Sequence, residues 1–202
     1  MKMKKEKAEL ILNTAKKMFG RYGLQKTTLD EIARMARVAK GTIYSYFGTK
    51  KRVYLEVLRR EAKEIVDNIL SSVNQQASPA DKLLAFTRAK FRYMRQAINL
   101  LNLDREGIEK LLPSAERIRD ELFEQEVHII RSILEEGVEK SIFRLNNVPL
   151  AASAIAHGLR GFELNWLVRE SEERIEYYLD ELMNILFCGL MSEKRIVNTK
   201  SA

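Results

Sequence analysis

One cysteine, three prolines and nine glycines are all that this 202-residue chain carries of the residues that staple, break or loosen a backbone. The single thiol, Cys188, closes no internal disulfide, so the chain suits a reducing cytoplasm. Scarce Pro and Gly, beside abundant Leu, Glu, Lys, Arg, Ala and Ile, favour helix over sheet. No apolar run approaches the roughly 20 residues that a spanning helix needs. The Lys-rich start lacks the apolar stretch of a secretion signal, so no membrane partner is expected. Histidine is scarce too: His128 and His157 are the only two, and neither follows a glutamate by three positions. The paired Glu-x-x-His motifs of a di-iron bundle are therefore missing. One cysteine builds no zinc cluster, and neither a glycine-rich phosphate loop nor a nucleophile elbow is present. The chain reads as a non-enzyme with no metal and no cofactor.

What is present is apolar residues, at 46%, and a lopsided charge. Residues 1–60 hold 16 Lys or Arg against 5 Asp or Glu, whereas residues 61–202 hold 19 against 23. A basic N-terminal unit on a mildly acidic body points to a polyanionic partner for the first unit alone.

Apolar spacing predicts an all-α chain of about nine helices, with a seam near residue 50. Helix 1 covers Lys4 to Tyr22, with Leu10, Ile11, Ala15, Met18 and Phe19 on one stripe and Gly20 and Gly23 near its end. A short second helix runs from Thr28 to about Ala36 behind a capping box, Thr28-Leu29-Asp30-Glu31. The third spans Lys40 to Phe47, and Thr49 caps a long fourth from Lys50 to about Gln76. Beyond Ser78-Pro79 the pattern predicts helices over Asp81 to Asn99, a short piece over Arg105 to Leu112 ending at Pro113, and one onward to Lys140. Two more follow, from Asn147 to Arg169 and from Glu172 to Met191. The expected domains are 1–50 and 51–202.

Two short helices joined by a tight turn make a helix-turn-helix. At about 100° per residue, Ile43 and Phe47 face inward from the third helix, while Gly41 and Ser45 face outward, flanked by Thr42, Tyr44 and Tyr46. Small outward residues let the backbone approach a groove floor, and tyrosine hydroxyls suit phosphate oxygens. Lys50, Lys51 and Arg52 crowd the first turn of helix 4, where the helix dipole disfavours cations. That placement makes sense if DNA phosphate supplies the missing negative charge.

Thr27-Thr28, Ile32-Ala33, Val38, Lys40-Gly41-Thr42-Ile43-Tyr44, Tyr46-Phe47 and Lys50 together resemble the DNA-binding region of the tetracycline-repressor (TetR) family, over about Ala8 to Leu55. The resemblance implies a homodimer that binds a near-palindromic operator in double-stranded DNA. It also implies a larger C-terminal domain that takes a small-molecule effector and then releases the operator. By the same resemblance Thr28, Tyr46 and Lys50 meet phosphates, and Lys40, Thr42 and Tyr44 approach bases or the adjoining strand. Lys40, the only long donor at the start of helix 3, is the candidate for a guanine edge. Two departures stand out. Arg37 occupies a turn position where the family commonly has Gly, costing about 1 kcal/mol if left-handed and offset by a further phosphate contact. Lys51-Arg52 replaces residues that are often acidic, which should raise salt sensitivity.

In the larger domain, Ala151, Ala152, Ala154, Ala156, Gly158 and Gly161 line the helix after Pro149. Together with the leucine-rich last helix they could form a four-helix dimer interface. Candidates for an effector pocket are Phe91, Met94, Ile98, Leu112, His128, Phe162 and Trp166, each of which also suits an ordinary core. A protein–protein adaptor that keeps the fold without binding DNA is the alternative, and the cationic start of helix 4 is hard to explain under it.

Overall fold

Nine helices make up the described residues of the computed structural model, which are 2–101 and 112–188. They are α1 (Lys2–Lys26), α2 (Leu29–Met35), α3 (Lys40–Phe47), α4 (Lys50–Asn74), α5 (Pro79–Gln96), α6 (Ile98–Leu101), α7 (Leu112–Glu139), α8 (Val148–Arg169) and α9 (Glu172–Cys188). Several helix boundaries have a local cause. Gly23 adopts φ 79°, ψ 164°, a conformation open essentially to glycine, and breaks α1 where the sequence expects its end. Thr28 closes the predicted capping box on α2, and Thr49 and Ser78 cap α4 and α5 by accepting from the N–H groups of Arg52 and Asp81. The Asn147 Oδ1 does the same for Leu150 at the start of α8.

Two expectations shift. Pro113 was expected to end a short helix; instead it sits in the first turn of α7, where a missing N–H costs no helical bond. The short α6 replaces the tail of the predicted fifth helix, because Ala97 leaves helical geometry at ψ 65°. Most of the expected piece from Arg105 to Leu112 lies outside the described residues.

One continuous apolar core runs from Ile11, Phe19 and Ile43 through Leu58 and Phe86 to Ile130 and Leu179. Its spine is α4, which packs on α1 at one end and on α5 and α7 along its length, with α8 on α7 and α9 on α5. Gly20 faces α6, where a Cβ would stand at ordinary contact distance, 3.5 Å, from Ile98.

Polar groups join the two ends of this core. Glu61 of α4, almost fully buried, accepts from Asn99 Nδ2 at 2.7 Å and from the Leu100 N–H at 3.0 Å. Asn99 Nδ2 also donates to the Lys16 carbonyl of α1 at 3.1 Å. Burial pushes the Glu61 carboxyl above its ordinary value, opposed by those two hydrogen bonds. The network fastens α6 to α1 and α4 together.

A second buried pair lies between α5 and α7. Lys90 Nζ reaches both Glu126 oxygens at 2.7 Å, with the two side chains only 2% and 3% exposed. Desolvation of two charges offsets most of their attraction, but removing one takes away the close partner of the other's buried charge. Lys90→Met alone should therefore lower unfolding free energy by about 3–5 kcal/mol. Adding Glu126→Leu should restore most of it, as chemical denaturation will read; a double variant no better than the single one would refute this.

Candidate nucleic-acid interface

The head is built from α1 to α3 and the start of α4. Thr28 Oγ1 accepts from the Glu31 N–H at 3.2 Å, while Glu31 Oε2 accepts from the Thr28 N–H at 2.9 Å and from its hydroxyl at 2.8 Å. These hydrogen bonds, side chain first, hold the Glu31 carboxyl below its ordinary value. The Thr28 hydroxyl thus reaches a phosphate only by exchanging one acceptor for another.

The turn into α3 carries the departure seen in the sequence. Arg37 sits at φ 52°, in the left-handed region that favours glycine. Its N–H donates to the Arg34 carbonyl at 3.2 Å, and the Val38 N–H returns to Ala33 at 3.0 Å. The exposed Arg37 side chain gives this strained position a cation that a glycine would lack.

Recognition helix α3 is fixed from behind by two residues. Ile43 is fully buried and Phe47 packs half-buried against the same core, while Lys40, Gly41, Tyr44 and Ser45 are exposed and Thr42 and Tyr46 lie at the edges. A Cβ on Gly41 would meet nothing within 4 Å, so the helix there is bare on its outer side. Its cap residue is Ala39, which makes no side-chain hydrogen bond to the helix. Lys40 is anchored sideways: Nζ lies 2.8 Å from Asp30 Oδ1 and 5.9 Å from the centre of the Tyr44 ring. The Asp30 carboxylate holds the Lys40 ammonium above its ordinary value. Thr28, Asp30, Lys40, Tyr44 and Thr49 border an open concavity of about 430 Å³.

Lys50 differs from expectation. Its ammonium does not point outward to a phosphate but donates to the carbonyls of Leu24 at 2.9 Å and Thr27 at 3.0 Å, with Gln25 at 3.5 Å. A cation among the last carbonyls of a helix satisfies acceptors that have no intrahelical partner. Lys50 therefore ties the end of α1 to the start of α4, a role invisible without the fold because it spans 23 to 26 residues. Exposed Lys51 and Arg52 remain at the surface of that first turn.

Residues 11–57 match the family described as "Bacterial regulatory proteins, tetR family". The fatty acid metabolism regulator protein of Bacillus subtilis (strain 168) is 20% identical over 191 residues, covering 94% of this chain and 98% of that protein. Residues 11–57 are thus a DNA-binding segment of the TetR type. The chain is a DNA-binding transcription regulator. Its fold matches that of the TetR regulator PfmR from Thermus thermophilus, with a TM-score of 0.66 at 25% identity over 90% of this chain and 98% of that one. FadR from Bacillus subtilis, solved with stearoyl-CoA, shares the fold at a TM-score of 0.69 and 19% identity, over 91% and 99% of the two chains.

The effector residues expected from sequence are divided, among the described side chains, between core and surface. Phe91 and Met94 are buried on α5. Ile98 is half exposed beside Gly20, and His128 is exposed because the inner face of α7 runs through Leu122, Glu126, Ile129 and Ile133. Phe162 is exposed on α8. The side chains of Leu112 and Trp166 lie outside the described ones. His157 stands on the surface, its ring 4.7 Å from Phe123. Among the described residues no cluster of His, Cys, Asp or Glu could hold a metal, and no helix is long and apolar enough to cross a membrane. Sequence reasoning missed Asp30 and Lys90–Glu126; the ten-residue step from Asp30 to Lys40 has no periodic signature.

Two substitutions separate folding from DNA contact. Gly41→Ala should raise thermal stability, since Ala exceeds Gly by about 1 kcal/mol in a helix, yet weaken DNA binding by placing a methyl on the bare face. Lys50→Met should cost about 1.5–3 kcal/mol of head stability through its lost charged hydrogen bonds. An unchanged melting temperature for Lys50→Met would refute the tie to α1.

Proposed function

We propose that this regulator is an effector-released repressor that binds its operator as a homodimer in the cytoplasm and responds to a long-chain fatty acyl thioester. The observation that carries the DNA half is the exposed face of α3, bare at Gly41 and backed by the buried Ile43. In this reading residues 1–50 form the DNA-binding domain and 51–202 the effector and dimerisation domain. Thr42 and Tyr44 reach the major groove with Lys40, Gly41 and Ser45 close to its floor, and Thr28, Arg37, Tyr46 and Lys51 meet phosphates. Lys50 holds the geometry from behind.

Dimerisation is supported by α8 and α9. Gly158 and Gly161 face open space in a single chain, where close approach of another helix would fit. Leu150, Phe162, Tyr177 and Leu186 are exposed on the same two helices. Burying them against a second copy removes apolar area from water and sets the two heads a fixed distance apart.

The acyl thioester is supported by the relatives: one is named for fatty acid metabolism, and FadR was solved with stearoyl-CoA. In this chain Phe91 and Met94, both buried on α5, would supply part of an apolar wall. The effector must bind the two head spacings unequally, because equal affinity shifts nothing.

Selection of duplexes from a random pool at a stated moderate salt should recover a near-palindrome. Adding stearoyl-CoA to the complex should then release it. A recovered site that stearoyl-CoA leaves bound would overturn the effector class while keeping the regulator.

A further inference from the structure

Asp30 is an anomaly of the DNA-facing surface. It is exposed in the first turn of α2, beside the residues expected on phosphates, where a carboxylate repels the polyanion. Glu31, the other acid of that turn, is folded back on the Thr28 cap. The helix dipole favours a carboxylate in this turn, but the pair with Lys40 adds little, its side chains being 52% and 62% exposed. The geometry is nevertheless specific. Lys40 Nζ sits between the two carboxylate oxygens, at 2.8 Å from Oδ1 and 2.9 Å from Oδ2, on the lip of the concavity that Tyr44 and Thr49 share.

We infer that Asp30 is a specificity-determining residue, holding Lys40 in a position that a base-edge acceptor can use intact but a phosphate can use only by breaking the pair. The inference rests on the reading of α3 as the groove-reading helix. An ammonium has three donors. With Asp30 occupying one side of it, a donor remains for the O6 or N7 of a guanine, and the carboxylate stays neutralised while the base is read. On a duplex without that acceptor, Lys40 gains only by swinging to the backbone. Asp30 is then left unpaired in the field of the phosphates, so its charge opposes binding. Asp30 thus weakens non-specific binding more than it weakens operator binding.

The test compares operator and random duplexes over a salt series for the wild type, Asp30→Asn, Asp30→Glu and Asp30→Asn in a Lys40→Met background. Asp30→Asn should raise affinity for random DNA about fivefold and steepen its log–log salt dependence by about one unit. Operator affinity should change less than twofold, so the specificity ratio falls about fivefold. Asp30→Glu, which keeps the charge and can reach Lys40, should restore most of the ratio. In the Lys40→Met background Asp30→Asn should leave the ratio unchanged, as coupling through one contact requires. Partial unfolding of α2 lowers both affinities by the same factor and cancels in the ratio. An equal gain on both duplexes, or a ratio that still falls without Lys40, overturns the inference. A wild type that selects no sequence at all overturns the reading of α3 itself, and the inference with it.

Discussion

Burial of one face of α4 is the constraint on which the rest of the molecule depends. This helix is 25 residues long, starts beneath the recognition helix, and sends Val53, Tyr54, Leu58, Ile65 and Ile69 into a core shared by both parts of the chain. A head that hung from a flexible linker would report nothing about a bound effector. Here the head is held by apolar packing, by the Lys50 tie to the end of α1, and by Glu61, which joins α4 to α6. Asn99 joins α6 to α1 and α4 at one point, donating to the Lys16 carbonyl and to Glu61 together. Coupling between sites needs such an element with contacts in both regions.

The polar groups divide by burial into two kinds with different work. Those at the surface of the head, Asp30 with Lys40 and the Thr28 box, are weak in energy and open to competition from DNA. Those inside, Glu61 with Asn99 and Lys90 with Glu126, are shielded from salt and costly to leave unpaired. Exposed pairs can exchange partners on binding; buried ones fix which helices move together.

Several expectations from the amino-acid pattern correspond closely to the structure, and the reasons are local. The Thr28 capping box, the bounds of α3, the cap at Thr49 and the break at Gly23 all follow from residues within four positions of one another. The inward Ile43 and outward Gly41 follow from helical periodicity alone. Even the left-handed turn at Arg37 was legible as a place where glycine is expected. Lys50 was legible only in part: a lysine at a helix start suggests a phosphate, and only the arrival of α1's last carbonyls beside it shows its partners within the chain.

By itself, then, the sequence determined the helical class, the position of the helix-turn-helix and the chemistry of its exposed face, because backbone propensity, capping and periodicity act over one or two turns. Tertiary structure alone decided which charges are spent internally, which histidine and aromatic side chains face outward, and which residue of α2 holds Lys40. Those outcomes depend on contacts between residues ten to tens of positions apart, and the direction in which a side chain meets a distant neighbour leaves no period to read.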